Sequence, residues 1–126
     1  MLAPMMTTND LQVFFDEGWN RHDVDRLMAF MAEDCVFEST AGPEACGTRH
    51  TGRERVRQAF ARVFEVFPDA RFGQARHFVA GDRGVSEWRF TGTRDGVKVE
   101  VDGCDVFTFR DGKIAVKSSY FKQRAA

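Results

Sequence analysis

The run VKVEVDGCDVFTF, from Val97 to Phe109, is the most informative part of the chain. With a period of two, Val97, Val99, Val101, Phe107 and Phe109 share one face of a strand, and Asp105 sits among them. A carboxylate on an apolar face is costly to bury unless a partner or a chemical task holds it there. Asp102-Gly103 could host a bulge, which would exchange the faces of the residues beyond it. Such a bulge would part Asp105 from the valines but leave it in phase with Phe107 and Phe109. An inward Asp105 is the expectation.

Short turn signals flank this run: Gly81-Asp82-Arg83-Gly84, Asp95-Gly96 and Asp111-Gly112. They divide everything after Pro68 into strands at about 71–80, 84–94, 97–110 and 113–122, each linked to the next as a hairpin. Upstream, Thr51-Gly52-Arg53-Glu54 reads as a capping box. The helix it opens carries the stripe Val56, Ala59, Phe60, Val63, Phe64 and Phe67 and is stopped by Pro68. AGPEACG is a loop, and CVFES before it is a short strand. Near the start, Thr7 and Asp10 resemble another capping box, and Leu11, Phe14, Phe15, Gly18 and Trp19 recur at helical spacing. NRHD breaks that helix, and Asp23 caps a second one bearing Val24, Leu27, Met28 and Met31. The predicted order is α-α-β-α-β-β-β-β, an α+β domain over residues 8–126 with helices on one curved antiparallel sheet. Residues 1–7 read as a loosely held leader.

At 126 residues the chain is one domain, with 43% hydrophobic and 29% charged residues. A net charge of −1 without a basic stripe argues against nucleic-acid binding. No apolar run approaches the roughly 18 residues of a membrane span, and the opening lacks the pattern of a signal peptide. Cys35, Cys46 and Cys104 are an odd count without a CxxC pair, which points to reduced thiols and a cytoplasmic setting. His22, His50 and His77 stand alone, so no metal is expected; His22 reads as a helix-junction residue, and His77 is the one placed to approach the interior. No GxSxG elbow and no glycine-rich phosphate loop occurs, and no cofactor is expected.

Thirteen Phe and two Trp in so small a domain imply a dense core or a ring-lined cavity. A bent sheet wrapped by helices leaves a cone that its inner residues must fill or line. The candidate lining is Phe15, Trp19, Phe37, Phe60, Phe64, Trp88 and Phe107.

WNRHDVDRLMAFMAEDCVFES, GRERVRQAFARVFEVFPDARF, VSEWRFTGT and VFTFRDGKI together are similar to the SnoaL-like branch of the nuclear-transport-factor-2-like superfamily, from about Thr8 to Lys122. The resemblance implies a cone-shaped α+β barrel with a hydrophobic pocket, usually dimeric through the outer face of the sheet. That superfamily includes polyketide cyclases, ketosteroid isomerases, epoxide hydrolases, dehydratases and non-catalytic members, so the fold alone does not set the activity. Matched to the isomerase pattern, Phe15 falls at the catalytic tyrosine, Ser39 at the base and Asp105 at the second aspartate, and Lys117, Ser119 and Phe121 of the last strand face inward to join the pocket lining. Matched to the epoxide hydrolases, Ser119 replaces the last-strand aspartate, with Glu87 in phase only after a shift of one. The cyclases' GTH reads Gly92-Thr93-Arg94. Neither the isomerase nor the epoxide hydrolase catalytic set is intact.

The candidate catalytic residues are Asp105 as acid or oxyanion donor and Glu38 or Ser39 as proton handler. A buried Asp105 suits a general acid, whereas a nearby cation would make it structural, and Lys117 is the obvious cation. The sequence thus suggests a small-molecule pocket protein, a cofactor-independent cyclase or isomerase acting on a small apolar carbonyl compound. The alternatives are a non-catalytic binder of a small apolar or aromatic ligand, and a protein-interaction adaptor.

Overall fold

Strand β5, Val97–Arg110, pairs with β4, Arg83–Arg94, in one uninterrupted antiparallel register from Arg94 opposite Val97 to Arg83 opposite Thr108. There is no bulge at Asp102-Gly103, so Val99, Val101, Asp105, Phe107 and Phe109 share one face. That face is the inner one: Asp105 and Phe107 are fully buried, and only Val97, beside the turn, lies open at 65% exposure. The hairpin closes at Asp95 and Gly96, whose φ angles of 51° and 78° are the left-handed pair that a type I′ turn requires. These features come from a computed structural model, which describes residues 4–125.

The remaining strands are β1 Met31–Glu38, β2 Arg49–Thr51, β3 Arg71–Ala80 and β6 Lys113–Phe121. They form one six-stranded sheet in the order β2-β1-β6-β5-β4-β3. It is curved and unclosed, with the helices laid on it as an α+β cone. The four C-terminal strands begin and end within a residue or two of the expected runs. Two features correct the expectation. β2 is an additional short strand, paired with β1 through Val36 opposite Thr51, in a polar segment without alternation. And the sheet is mixed, because β1 runs parallel to β6, with Phe37 opposite Lys117. That pairing brings the third candidate ring beside the candidate cation.

The first helix opens at Thr7, whose side chain accepts from the Asp10 amide while Asp10 returns a bond to the Thr7 amide. After α1, Thr8–Val13, the chain widens into a π turn over Phe14–Trp19, seen in the Asn20 amide donating to the Phe15 carbonyl at 2.8 Å. Phe14, Phe15 and Trp19 all end up buried, with exposures of 0, 0 and 1%. Asn20 then ties the end of this turn to β3: its side chain donates to the Phe72 carbonyl at 2.9 Å and accepts from the Phe72 amide at 2.8 Å. α2, Val24–Ala29, is capped by Asp23 and packs Leu27 against Gly18, where a Cβ would come within 2.4 Å of it.

α3, Arg53–Val66, starts at Gly52 with a φ of 89° and no side-chain cap. The second capping box is therefore absent, because Thr51 is drawn into β2. Of the leader, Met6 is buried at 4% exposure while Pro4, Met5 and Thr7 are exposed, and residues 1–3 fall outside the described part. Fully burying each of Phe14, Phe15, Phe60 and Phe107 contributes about 2 kcal/mol of transfer free energy.

Candidate functional site

Asp105 sits at the centre of a sealed polar cluster on the inner face of the sheet. The Lys117 ammonium donates to its Oδ1 at 3.0 Å, Ser119 Oγ donates to the same oxygen, and the Trp88 indole donates to Oδ2 at 3.1 Å. Lys117 also donates to Ser119 Oγ at 2.9 Å. Strand parity makes this convergence possible, since Asp105 faces Ser119 directly across the β5–β6 ladder and Lys117 lies two residues away on the same side. Exposure falls to 0% for Asp105, 3% for Lys117 and 9% for Ser119.

The third side of the ammonium is aromatic. Lys117 Nζ lies 4.7 Å from the Phe37 ring centroid, 5.0 Å from Trp19 and 5.7 Å from Phe60. Those rings pack edge to face, Trp19 on Phe60 at 4.9 Å and Phe37 on Phe60 at 5.1 Å, and Phe64 backs Trp19 at 5.5 Å. Burial lowers the proton affinity of Lys117, and the Asp105 carboxylate opposes that shift. We hold to the downward direction, because an ammonium among rings has lost nearly all its water.

A second polar group continues the cluster across the sheet. His77 on β3 faces Ser86 on β4, Ser86 faces Asp105 on β5, and Asp105 faces Ser119 on β6. One rung thus crosses four strands carrying only polar side chains. His77 Nδ1 lies 2.7 Å from Ser86 Oγ and Nε2 3.1 Å from Gln12 Oε1, with Phe15 packed on the imidazole at 5.5 Å. Burial lowers the His77 pKa from its ordinary 6.5, with Asp16 opposing.

The other candidates lie elsewhere. Glu38 follows Phe37 and so turns to the outer face, where Arg49 holds it in an ion pair at 3.0 Å. Ser39 lies past the end of β1, and its hydroxyl donates to the carbonyls of Ala41 and Thr48. Neither has a bond to the Asp105 cluster. Glu87 is on the outer face with Arg76. Phe107 is inward, directly opposite Lys117 on the β5–β6 ladder, and its ring packs on Phe14 and Phe109. Phe121, in phase with Lys117 and Ser119, is the last residue of β6 and is 49% exposed at the edge of an open cleft. His22 bonds the Ala70 carbonyl at 2.7 Å at the helix junction.

The ring-lined hollow is filled by its own lining: Phe15, Trp19, Phe37, Phe60, Trp88 and Phe107 are all less than 9% exposed. Open space is found in a cleft of about 710 Å³ at the β4–β6 end of the sheet, where the candidate lining residues Trp88 and Phe121 meet Arg76, Arg89, Asp102 and Tyr120, and in one of about 380 Å³ between Met6, Arg26 and Phe30. Among the described residues no three His, Cys, Asp or Glu side chains gather as metal ligands would, and no helix is long and apolar enough to cross a membrane.

The sequence reading did not include Ser86, Gln12 or His77 in the site. A signal for two of them was present. Two-residue turns at Gly81-Asp82 and Asp95-Gly96 fix the hairpin registers, and counting back along them sets His77 opposite Ser86 and Ser86 opposite Asp105.

A curved sheet with helices closed over a polar rung is the nuclear-transport-factor-2-like architecture. Within it the chain belongs to the SnoaL-like domain family, which matches residues 11–117. An NTF2-like protein of unknown function from Mesorhizobium loti is 32% identical, with 92% of this chain and 91% of that one covered and a TM-score of 0.74. A candidate SnoaL-like polyketide cyclase from Jannaschia sp. CCS1 is 24% identical over 97% of this chain and 90% of its own, with a TM-score of 0.79. TerC, co-crystallised with polyporic acid, is 22% identical over 89% and 88%, with a TM-score of 0.73. Comparison with curated proteins gives no match.

Proposed function

We propose that the chain binds a small, flat, largely apolar carbonyl compound against the inner face of the sheet, with the ligand oxygen received by the Lys117 ammonium. The observation that carries this reading is the buried Lys117–Asp105 pair under three rings. Desolvating two charges costs several kcal/mol per ion, more than their attraction commonly returns, so such a pair adds little stability over apolar residues of similar volume. Buried titratable groups with displaced proton affinity concentrate at working sites. TerC's complex with polyporic acid adds support from the same architecture.

As an enzyme the protein would act as a cofactor-independent cyclase or isomerase. Lys117 would hydrogen-bond the substrate carbonyl and, with its lowered proton affinity, lend a proton to a developing enolate oxygen and recover it. Asp105 would orient the ammonium and balance its charge. A non-catalytic binder is the second reading, favoured by Phe15 standing where the isomerases carry a phenol and by Asp105 having both oxygens engaged. The ligand enters by parting the rings above the floor. Exposed Phe78 and Tyr120 on the outer sheet face support a homodimer through that face, and the three free cysteines suit a reducing cytoplasm.

Both tryptophans touch the cluster, so intrinsic fluorescence reports directly on it. Flat aromatic ketones and hydroxyquinones should quench the emission saturably, and Lys117→Met should weaken that binding at least tenfold. No quenching by any of them would overturn the reading. Turnover of a bound compound that disappears in Lys117→Met would separate enzyme from binder.

A further inference from the structure

On the outer face of the sheet a second rung runs beside the buried one. Arg76 on β3 faces Glu87 on β4, Glu87 faces Cys104 on β5, and Cys104 faces Tyr120 on β6. Cys104 is the smallest side chain of this row, so the surface dips between Glu87 and Tyr120 into the cleft of about 710 Å³. Its size is ordinary for a small-molecule site. One row further along, Arg89 faces Asp102, and the Lys122 amide donates to the Asp102 carbonyl at 2.8 Å, which extends the β5–β6 ladder past Phe121. Charge in the cleft is unbalanced: Arg76, Arg89 and Lys122 border it against the carboxylates of Glu87 and Asp102. Arg76 pairs with Glu87 at 3.2 Å, and Arg89 holds both oxygens of Asp102, at 2.7 and 3.2 Å. Lys122 has no carboxylate partner among the described residues.

We infer that this cleft binds an aromatic monocarboxylate, with the ring against Tyr120 above Cys104 and the carboxylate on the Lys122 ammonium. This site is separate from the inner-face one and does not depend on it. One carboxylate balances the one cation left over after the two ion pairs form. Tyr120 and Phe121 are exposed beside it, so a ligand ring covers aromatic surface otherwise left to water. Tyr120 and Lys122 are alternate residues of one extended run, about 7 Å apart, a span that a ring and the carboxylate it carries can bridge. An exposed ammonium alone attracts anions only weakly and is screened by salt, so the adjoining ring is what makes the site selective.

Cys104, at the floor of the cleft, reports on occupancy. Burial, with Asp105 and Glu87 adding to it, raises the thiol's pKa, so its alkylation is slow enough to time. The test uses 2-naphthoate and its neutral counterpart 2-naphthamide, each titrated by calorimetry and each added during alkylation by iodoacetamide. 2-Naphthoate is expected to bind at least tenfold tighter than the amide. It should slow labelling of Cys104 at least fivefold while Cys46, in the loop after β1, labels at an unchanged rate. Lys122→Gln should bring the affinity ratio close to one, and Tyr120→Ser should weaken both probes at least threefold. Equal affinities in the native protein, a ratio that survives Lys122→Gln, affinities unchanged in Tyr120→Ser, or binding that leaves Cys104 unprotected overturns the inference. So does a failure of both probes to bind, the result expected if a second copy fills the cleft with its own side chains. None of these outcomes bears on the inner-face site, which Lys117→Met tests separately.

Discussion

Ser86 and Asp105 lie directly opposite each other on neighbouring strands, on the same inner face and both fully buried, yet they are bonded in opposite directions. Ser86 is bound to His77 toward the β3 edge, whereas Asp105 is bound to Lys117 and Ser119 on β6 and to Trp88. The polar floor of the cone therefore consists of two separately satisfied networks that meet between β4 and β5.

The ion pair should show strong coupling. Lys117→Met leaves a buried carboxylate without its cation, and Asp105→Asn leaves a buried ammonium without its anion; each should cost about 3–5 kcal/mol in urea unfolding. The double variant removes both charges and should recover most of that loss. Additive losses in the cycle would show that the two side chains do not depend on each other.

His77 gives stability a definite pH dependence. Its folded proton affinity lies below the ordinary 6.5, chiefly through burial, so in that window the unfolded chain binds more protons than the folded one. The contribution is fully present above pH 6.5, is lost as pH falls from there toward the folded value, and is constant below it. Asp16 is the charged group that partly offsets the shift. Measured against His77→Asn, the native protein should lose stability more steeply as pH falls below 6.5. Parallel curves would contradict a buried neutral imidazole.

Gly103 is inward-facing, opposite Trp88, and a Cβ there would lie 2.6 Å from the Trp88 ring and 2.4 Å from the Tyr120 carbonyl. Gly103→Ala should therefore displace the indole that donates to Asp105, costing about 1–3 kcal/mol and shifting the tryptophan emission to longer wavelength. An unchanged spectrum would mean that the ring and its bond to Asp105 tolerate the methyl group.

Much of this was legible because two physical signals are strong in the chain. Turn chemistry at Asp95-Gly96 and Asp111-Gly112 marks the hairpins, and alternation in Val97–Phe109 sets which side of β5 is buried. Asp105 followed from parity together with its match to the isomerase pattern, and Lys117 from that match. What was not legible depends on tertiary pairing. The parallel partnership of β1 with β6 joins segments far apart in sequence, and β2 exists only because β1 offers it an edge. A register slip between Thr108 and Phe109 moves Ser119, rather than its neighbour Ser118, opposite Asp105, and no residue in the turn announces it. The π turn is equally silent, since Phe14, Phe15 and Trp19 are spaced as in an ordinary helix. Glu38 was attractive as a base by chemistry, but Phe37 won the inward side, and the carboxylate was left to Arg49.

The unslipped ladder from Arg83–Thr108 to Arg94–Val97 has a bearing on how such a protein can change. Backbone pairing fixes which face each residue of these two strands presents, so a replacement on the inner row does not move its neighbours to the other face. The composition of the inner row can therefore drift one residue at a time while the hydrogen-bonded frame that carries it keeps its register.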